Sequence, residues 1–184
     1  MTDPMRSAVA ESVHVPLLIV LGGLPGVGKT TLARGLARDL SAVHVRVDSI
    51  EEALRRSGPT APDAGYRVAY AVALDNLRAG HWVIADAVNP LALTREAWRA
   101  VGEAATAPVV EIEVVCSDPD VLRTRVETRT ADIPGFPLPT WDDVVNRHYE
   151  PWEPEPERVD TAGTPPDVAV RQALTAILRV QAAG

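Results

Sequence analysis

Residues 23–30 read Gly-Leu-Pro-Gly-Val-Gly-Lys-Thr and fill every fixed position of G-x-x-x-x-G-K-[ST]. No other stretch of the chain restricts its fold as strongly. A loop of this kind needs a strand that delivers the chain and a helix that starts at its end. Its glycines let the backbone curl until successive N–H groups converge on one point, where an anion can sit. Both flanks are present. Residues 15–22 are apolar, and residues 30–40 place Leu32, Ala33, Leu36, Ala37 and Leu40 at helical spacing. In this reading Gly23, Gly26, Val27, Gly28 and Thr31 present backbone donors to phosphate oxygens. Lys29 supplies a point charge for β- and γ-phosphates, and Thr30 offers its hydroxyl to Mg²⁺. The plain alternative is a glycine-rich strand-to-helix turn with a surface lysine.

The remaining chain alternates strand-like and helix-like segments. Strands are expected over residues 15–22, 43–47, 82–85, 109–115 and 158–161. Helices are expected over 30–40, 50–56, 66–79, 91–104, 119–128, 141–148 and 166–182. Ser49 with Glu52 three residues on reads as a capping box for the second helix. Residues 133–139 hold three prolines and a glycine and read as a loop or lid, within a lid region of about 125–140. Residues 151–156, rich in Pro and Glu, should be extended. The alternation implies a mainly parallel sheet with helices on both faces, an α/β three-layer sandwich of about five strands. Residues 14–184 make one domain behind a loose leader, residues 1–13.

Composition narrows the function classes. A net charge of -7 argues against broad electrostatic binding of nucleic acid, though not against a local basic groove. Cys116 is the one cysteine, so no internal disulfide forms, as expected in the cytoplasm. Its apolar neighbours, Val114 and Val115, make it read as a buried strand thiol, not a nucleophile. No apolar run is long enough to span a bilayer. The four histidines, His14, His44, His81 and His148, show no metal-ligand spacing.

Ligands of such sheets bind beyond the carboxyl ends of the strands. Asp48 follows the second strand and Asp86 ends the third. Asp48 can take the proton of an attacking hydroxyl, orient that hydroxyl, or cap a helix. Asp86 closing an apolar strand fits a Mg²⁺ or substrate contact, or a common strand-ending loop residue. Asn89 before Pro90 can contact substrate or form a turn. Arg123, Arg125 and Arg129 share a helix ahead of the lid. They can close over phosphates and substrate, or make a solvated face with Glu127 and Asp120. Asp160-Thr161-Ala162-Gly163 reads as a loop against the nucleotide, with Thr161 and Gly163 as contacts. Arg147, His148, Tyr149 and Trp152 line an acceptor pocket or pack a helix end.

With these residues placed, the chain resembles small P-loop kinases of the polynucleotide 5′-hydroxyl kinase and chloramphenicol phosphotransferase type, within the broader AAA-type ATPases. The resemblance runs from Leu17 to Gly163. It rests on residues 23–31, on Val47-Asp48-Ser49-Ile50-Glu51-Glu52-Ala53, and on Val83-Ile84-Ala85-Asp86-Ala87-Val88-Asn89-Pro90. The last is similar to the D-x-T-N-P of the polynucleotide kinases, with Val88 where that motif has Thr. The resemblance implies Asp48 as general base and Arg125 and Arg129 as lid cations on the phosphates. It implies an ATP- and Mg²⁺-dependent phosphotransferase. A small-molecule hydroxyl is the favoured acceptor, a nucleic-acid 5′-hydroxyl the nearest alternative, and a nucleotide-dependent regulatory ATPase the rival from another class.

Overall fold

Strand β1 (Leu18–Gly22) is buried along its whole length because both of its faces are covered. Leu17, Ile19 and Leu21 enter one core, with Leu32 and Leu36 of helix α1 (Lys29–Leu40) and Ile177 of the last helix. Leu18 and Val20 enter the other, with Ala73, Leu77 and Trp98. Period-two alternation therefore makes a continuous apolar run, as a parallel sheet clothed on both sides requires. The computed structural model describes residues 15–183; the leader at residues 1–13 and His14 lie outside them.

Five strands form one sheet in the order β2-β3-β1-β4-β5, and every pairing is parallel. The others are β2 (Val43–Arg46), β3 (Val83–Asp86), β4 (Val109–Val115) and β5 (Glu157–Asp160). Helices α2 (Val47–Ser57), α3 (Ala64–Arg78), α4 (Ala92–Ala105), α5 (Pro119–Thr128), α6 (Trp141–Val145) and α7 (Pro166–Ala183) complete the layers. This is the expected α/β P-loop sandwich, with every strand pair parallel. No helix among the described residues is long and apolar enough to cross a membrane.

Local differences from the sequence reading have physical causes. β1 starts at Leu18 because Pro16 has no N–H for a ladder. α2 starts at Val47, not residue 50, directly from β2. Val47 is buried at that junction, and no side chain caps the helix, so Ser49 is not its cap. Asp48 falls in the first turn, where a carboxylate meets the positive end of the helix. α6 stops at Val145, three residues early. The Pro/Glu segment folds back, with Trp152 buried and the Glu153 carbonyl accepting from Arg99 Nη2 at 2.9 Å. Cys116 lies just past β4, half-buried, its thiol donating to the Asp118 carbonyl at 3.4 Å.

Candidate active site

The turn between β1 and α1 adopts the backbone its glycines permit. Gly26 has φ 90° and Gly28 φ 102°, both left-handed. A Cβ on Gly26 would stand 2.7 Å from Val126 Cγ2, so α5 approaches this loop only because the side chain is missing. Lys29 opens α1 and is buried. Its Nζ donates to the carbonyls of Gly23 at 2.8 Å and Leu24 at 3.0 Å. An ammonium has three hydrogens, so one remains for a ligand above the loop. Burial lowers the Lys29 pKa to about 8, against the opposing fields of Asp86 and Asp48.

Those carboxylates come from adjacent strand ends. Asp86 is buried at the end of β3, where its Oδ2 meets His44 Nε2 at 3.1 Å. Burial would raise its pKa, but the His44 hydrogen bond, the Lys29 charge and the Thr30 hydroxyl together hold it below the usual range. Asp48 is partly exposed in the same cleft. Burial raises its pKa, and Asp86 adds to that, while Lys29 and Arg46 oppose it. A low-pKa carboxylate beside the P-loop hydroxyl is the oxygen donor set Mg²⁺ takes, so Thr30 and Asp86 fit that ion. When bound it would neutralise charge on the phosphates.

Arg129 follows α5 into the cleft. Its Nε and Nη2 are buried without any hydrogen-bond partner, and burial lowers its pKa. A guanidinium left unpaired inside a protein is costly unless an anion meets it. Arg125 instead donates to Thr161, to Oγ1 at 2.8 Å and to its carbonyl at 2.9 Å. Thr161 Oγ1 in turn donates to the Val27 carbonyl at 2.8 Å, tying the loop after β5 to the P-loop. Arg125, Arg129, Thr161, Gly26, Gly28 and Thr31 line a side cavity of about 410 Å³ beside the loop. Gly163 shapes that loop through φ 65° and does not line the cavity.

The main cleft, about 660 Å³, runs from the P-loop past Asp48 and Asp86 to Glu51, Tyr66, Phe136 and Arg147. Two residues that the sequence offered as substrate contacts lie outside it. Asn89 is fully buried. Its amide donates to the Leu21 carbonyl at 2.8 Å and its Oδ1 accepts from Trp98 Nε1 at 3.0 Å, so it is the turn residue, turned inward and away from the cleft. Arg123 points away and pairs with Glu127 at 2.9 Å. Of the polar-aromatic cluster, Arg147 reaches the cleft, whereas Trp152 packs under Arg95, 4.7 Å from its guanidinium.

The residues that hold the loop of residues 130–139 were not singled out from the sequence. Asp132 accepts two hydrogen bonds from Arg46, at 2.7 and 3.0 Å, and one from Arg34 at 2.5 Å. The hydrogen bonds from Arg46, with the one from Arg34, hold the exposed Asp132 carboxyl well below the usual range. A second clasp joins α2 to the same loop. Arg55 and Arg56 both bind buried Glu52 and donate to the carbonyls of Gly135 and Pro134. The contacts made to Asp132, Pro134 and Gly135 join residues 78 to 98 apart in sequence. Only the position of Arg46 at a strand end, two residues before Asp48, hinted at a role.

Fold and site together define a P-loop nucleotide-binding α/β protein. A family model described as an AAA domain matches residues 18–151, and the chain belongs to that family. Its fold is shared by a gluconokinase from Sinorhizobium meliloti 1021 at 20% identity and TM-score 0.62, covering 90% of this chain and 94% of that one. It is shared by the Mycobacterium tuberculosis APS kinase in complex with AMPPNP and APS, at 18% identity and TM-score 0.67, covering 89% and 98%. Kti12 of Chaetomium thermophilum in complex with ADP-AlF3 superposes with TM-score 0.66 at 24% identity, covering 89% and 98%. At these identities the likeness speaks for the fold. No curated protein matches the chain in sequence.

Proposed function

We propose that this chain is an ATP- and Mg²⁺-dependent phosphotransferase whose acceptor is a hydroxyl of a small molecule. One observation carries the reading. Lys29 and the unpaired guanidinium of Arg129 face the same cleft as the Asp48 carboxylate. Cations for a polyphosphate thus lie beside a base for an attacking alcohol. Asp48 takes the hydroxyl proton as the alcohol oxygen bonds to the γ-phosphorus and the bond to the β-bridging oxygen breaks, releasing ADP. Lys29 and Arg129 balance the charge that spreads over the transferred group. Arg125 supports the nucleotide side through Thr161. The docked lid keeps water from competing with the alcohol.

The kinases among the structural neighbours are named for small-molecule reactions, and the acidic net charge points the same way. The single cysteine suits the cytoplasm, where ATP and Mg²⁺ are available. The test is transfer of label from γ-labelled ATP to a panel of sugars, polyols, amino alcohols and 5′-hydroxyl oligonucleotides. Label in a small phosphate ester is expected. Label on the oligonucleotides alone, with binding that falls steeply as salt rises, would replace the acceptor with nucleic acid. Hydrolysis indifferent to every alcohol would point to a regulatory ATPase.

A further inference from the structure

Glu51 lies three residues beyond Asp48 on α2, a spacing that puts both carboxylates on one side of the helix. Both line the main cleft. The next residue, Glu52, is taken by Arg55 and Arg56. Glu51 has no hydrogen bond or ion pair among the described residues, and its carboxylate is left to the cleft. Its position is built by α3. The bare Cα of Gly65 lets the Glu51 stem lie against it, and a Cβ there would collide with Glu51 Cγ.

The surrounding charges decide what such a carboxylate can take. Arg46, the cation nearest Asp48 at this end, is already bound by Asp132 through both terminal nitrogens. Burial, and then Asp48, push the Glu51 carboxyl up. Among the described residues, the cation that opposes this on Glu51 is Arg147, on the exposed rim, whereas Lys29 and Arg46 act on Asp48. A carboxylate only accepts hydrogen bonds, so donors on a ligand relieve this arrangement and a further anion worsens it.

We propose that Glu51 selects the acceptor, favouring small alcohols that present an ammonium or a second hydroxyl over alcohols that carry a carboxylate or phosphate. The inference rests on the kinase reading above. Three six-carbon alcohols that differ only at C1 represent the charge classes: glucamine, glucitol and gluconate. They are placed in the wider acceptor panel, and the class of the alcohol phosphorylated fastest decides. The expected result is an amino or neutral alcohol, with anionic alcohols at least about tenfold lower in kcat/KM. Glu51→Gln should raise KM for an ammonium-bearing acceptor by about 10-fold or more, change a neutral polyol far less, and leave KM for ATP alone. Gly65→Ala, which displaces the same carboxylate and keeps its charge, should raise acceptor KM with ATP unaffected. An anionic alcohol used fastest, or an order of preference untouched by Glu51→Gln, overturns the proposal and leaves the kinase reading standing. No transfer to any alcohol by protein that binds Mg·ATP removes that reading and this proposal with it.

Discussion

Lys29 shows how burial moves the titration of a cation into reach of physiological pH. An ammonium with an ordinary pKa would be charged at every physiological pH, but here burial brings the value down to about 8. Bound phosphate favours the charged form, so above that pH binding must take up a proton. ATP affinity should therefore be steady near pH 7 and fall by up to about tenfold per unit between pH 8 and 9.5. Calorimetry in buffers of different ionisation enthalpy checks this, and affinity flat across the interval would contradict it. Asp48 works in the opposite sense. Its raised pKa means that its carboxylate form is lost earlier on acidification than an ordinary aspartate would lose it. The acid limb of the kcat profile should accordingly disappear in Asp48→Asn.

At the scale of elements, ion pairs and hydrogen bonds join the loop of residues 130–139 to the site. Arg46 ends β2, pairs with Asp132 of that loop and stands 3.8 Å from Asp48. Because the Asp132 carboxyl is depressed, this latch is present above the ordinary carboxylate range and lost only as pH falls beneath it. Asp132→Ala should loosen the lid, making residues 130–139 more sensitive to protease and raising acceptor-independent ATP hydrolysis severalfold. Unchanged proteolysis and coupling would show that the latch does not hold the lid. How much of this was legible follows from the reach of each signal. α5 was legible to the residue because its start is local: Asp118 accepts from the N–H groups of Asp120 and Val121, with Pro119 in the first turn. The P-loop was legible for the same reason. Asn89 was ambiguous because a turn residue and a ligand contact use the same amide, and only its burial against Trp98 separates them. The start of α2 was misplaced because the burial of Val47 outweighed the local capping signal at Ser49. The Asp132 latch was invisible because its partners meet only when the sheet assembles.

For the whole molecule, β1 is the shared wall of two cores and leads straight into the phosphate loop. Stability and nucleotide binding should be coupled through it. Leu36, fully buried on α1 against that sheet, should cost about 2–5 kcal/mol when replaced by alanine, read as a lower urea midpoint. Mg·ATP at about 100 times its dissociation constant should add about 2.7 kcal/mol to wild-type and variant alike. A nucleotide that shifts neither midpoint would disconnect the loop from any ligand. The Gly22→Ala change belongs to the same scale. A Cβ at the end of β1 would collide with the Trp152 ring, which is packed under Arg95, so it should destabilise the fold although it lies outside the loop.

The central claim is that one cleft holds both the phosphate donor and the base for its acceptor. The most direct measurement is single-turnover transfer by Asp48→Asn, alongside its affinity for Mg·ATP. The account predicts wild-type nucleotide affinity with transfer slowed by about 10²–10⁴-fold. Transfer at a near-normal rate, from a variant that binds ATP normally, would contradict it.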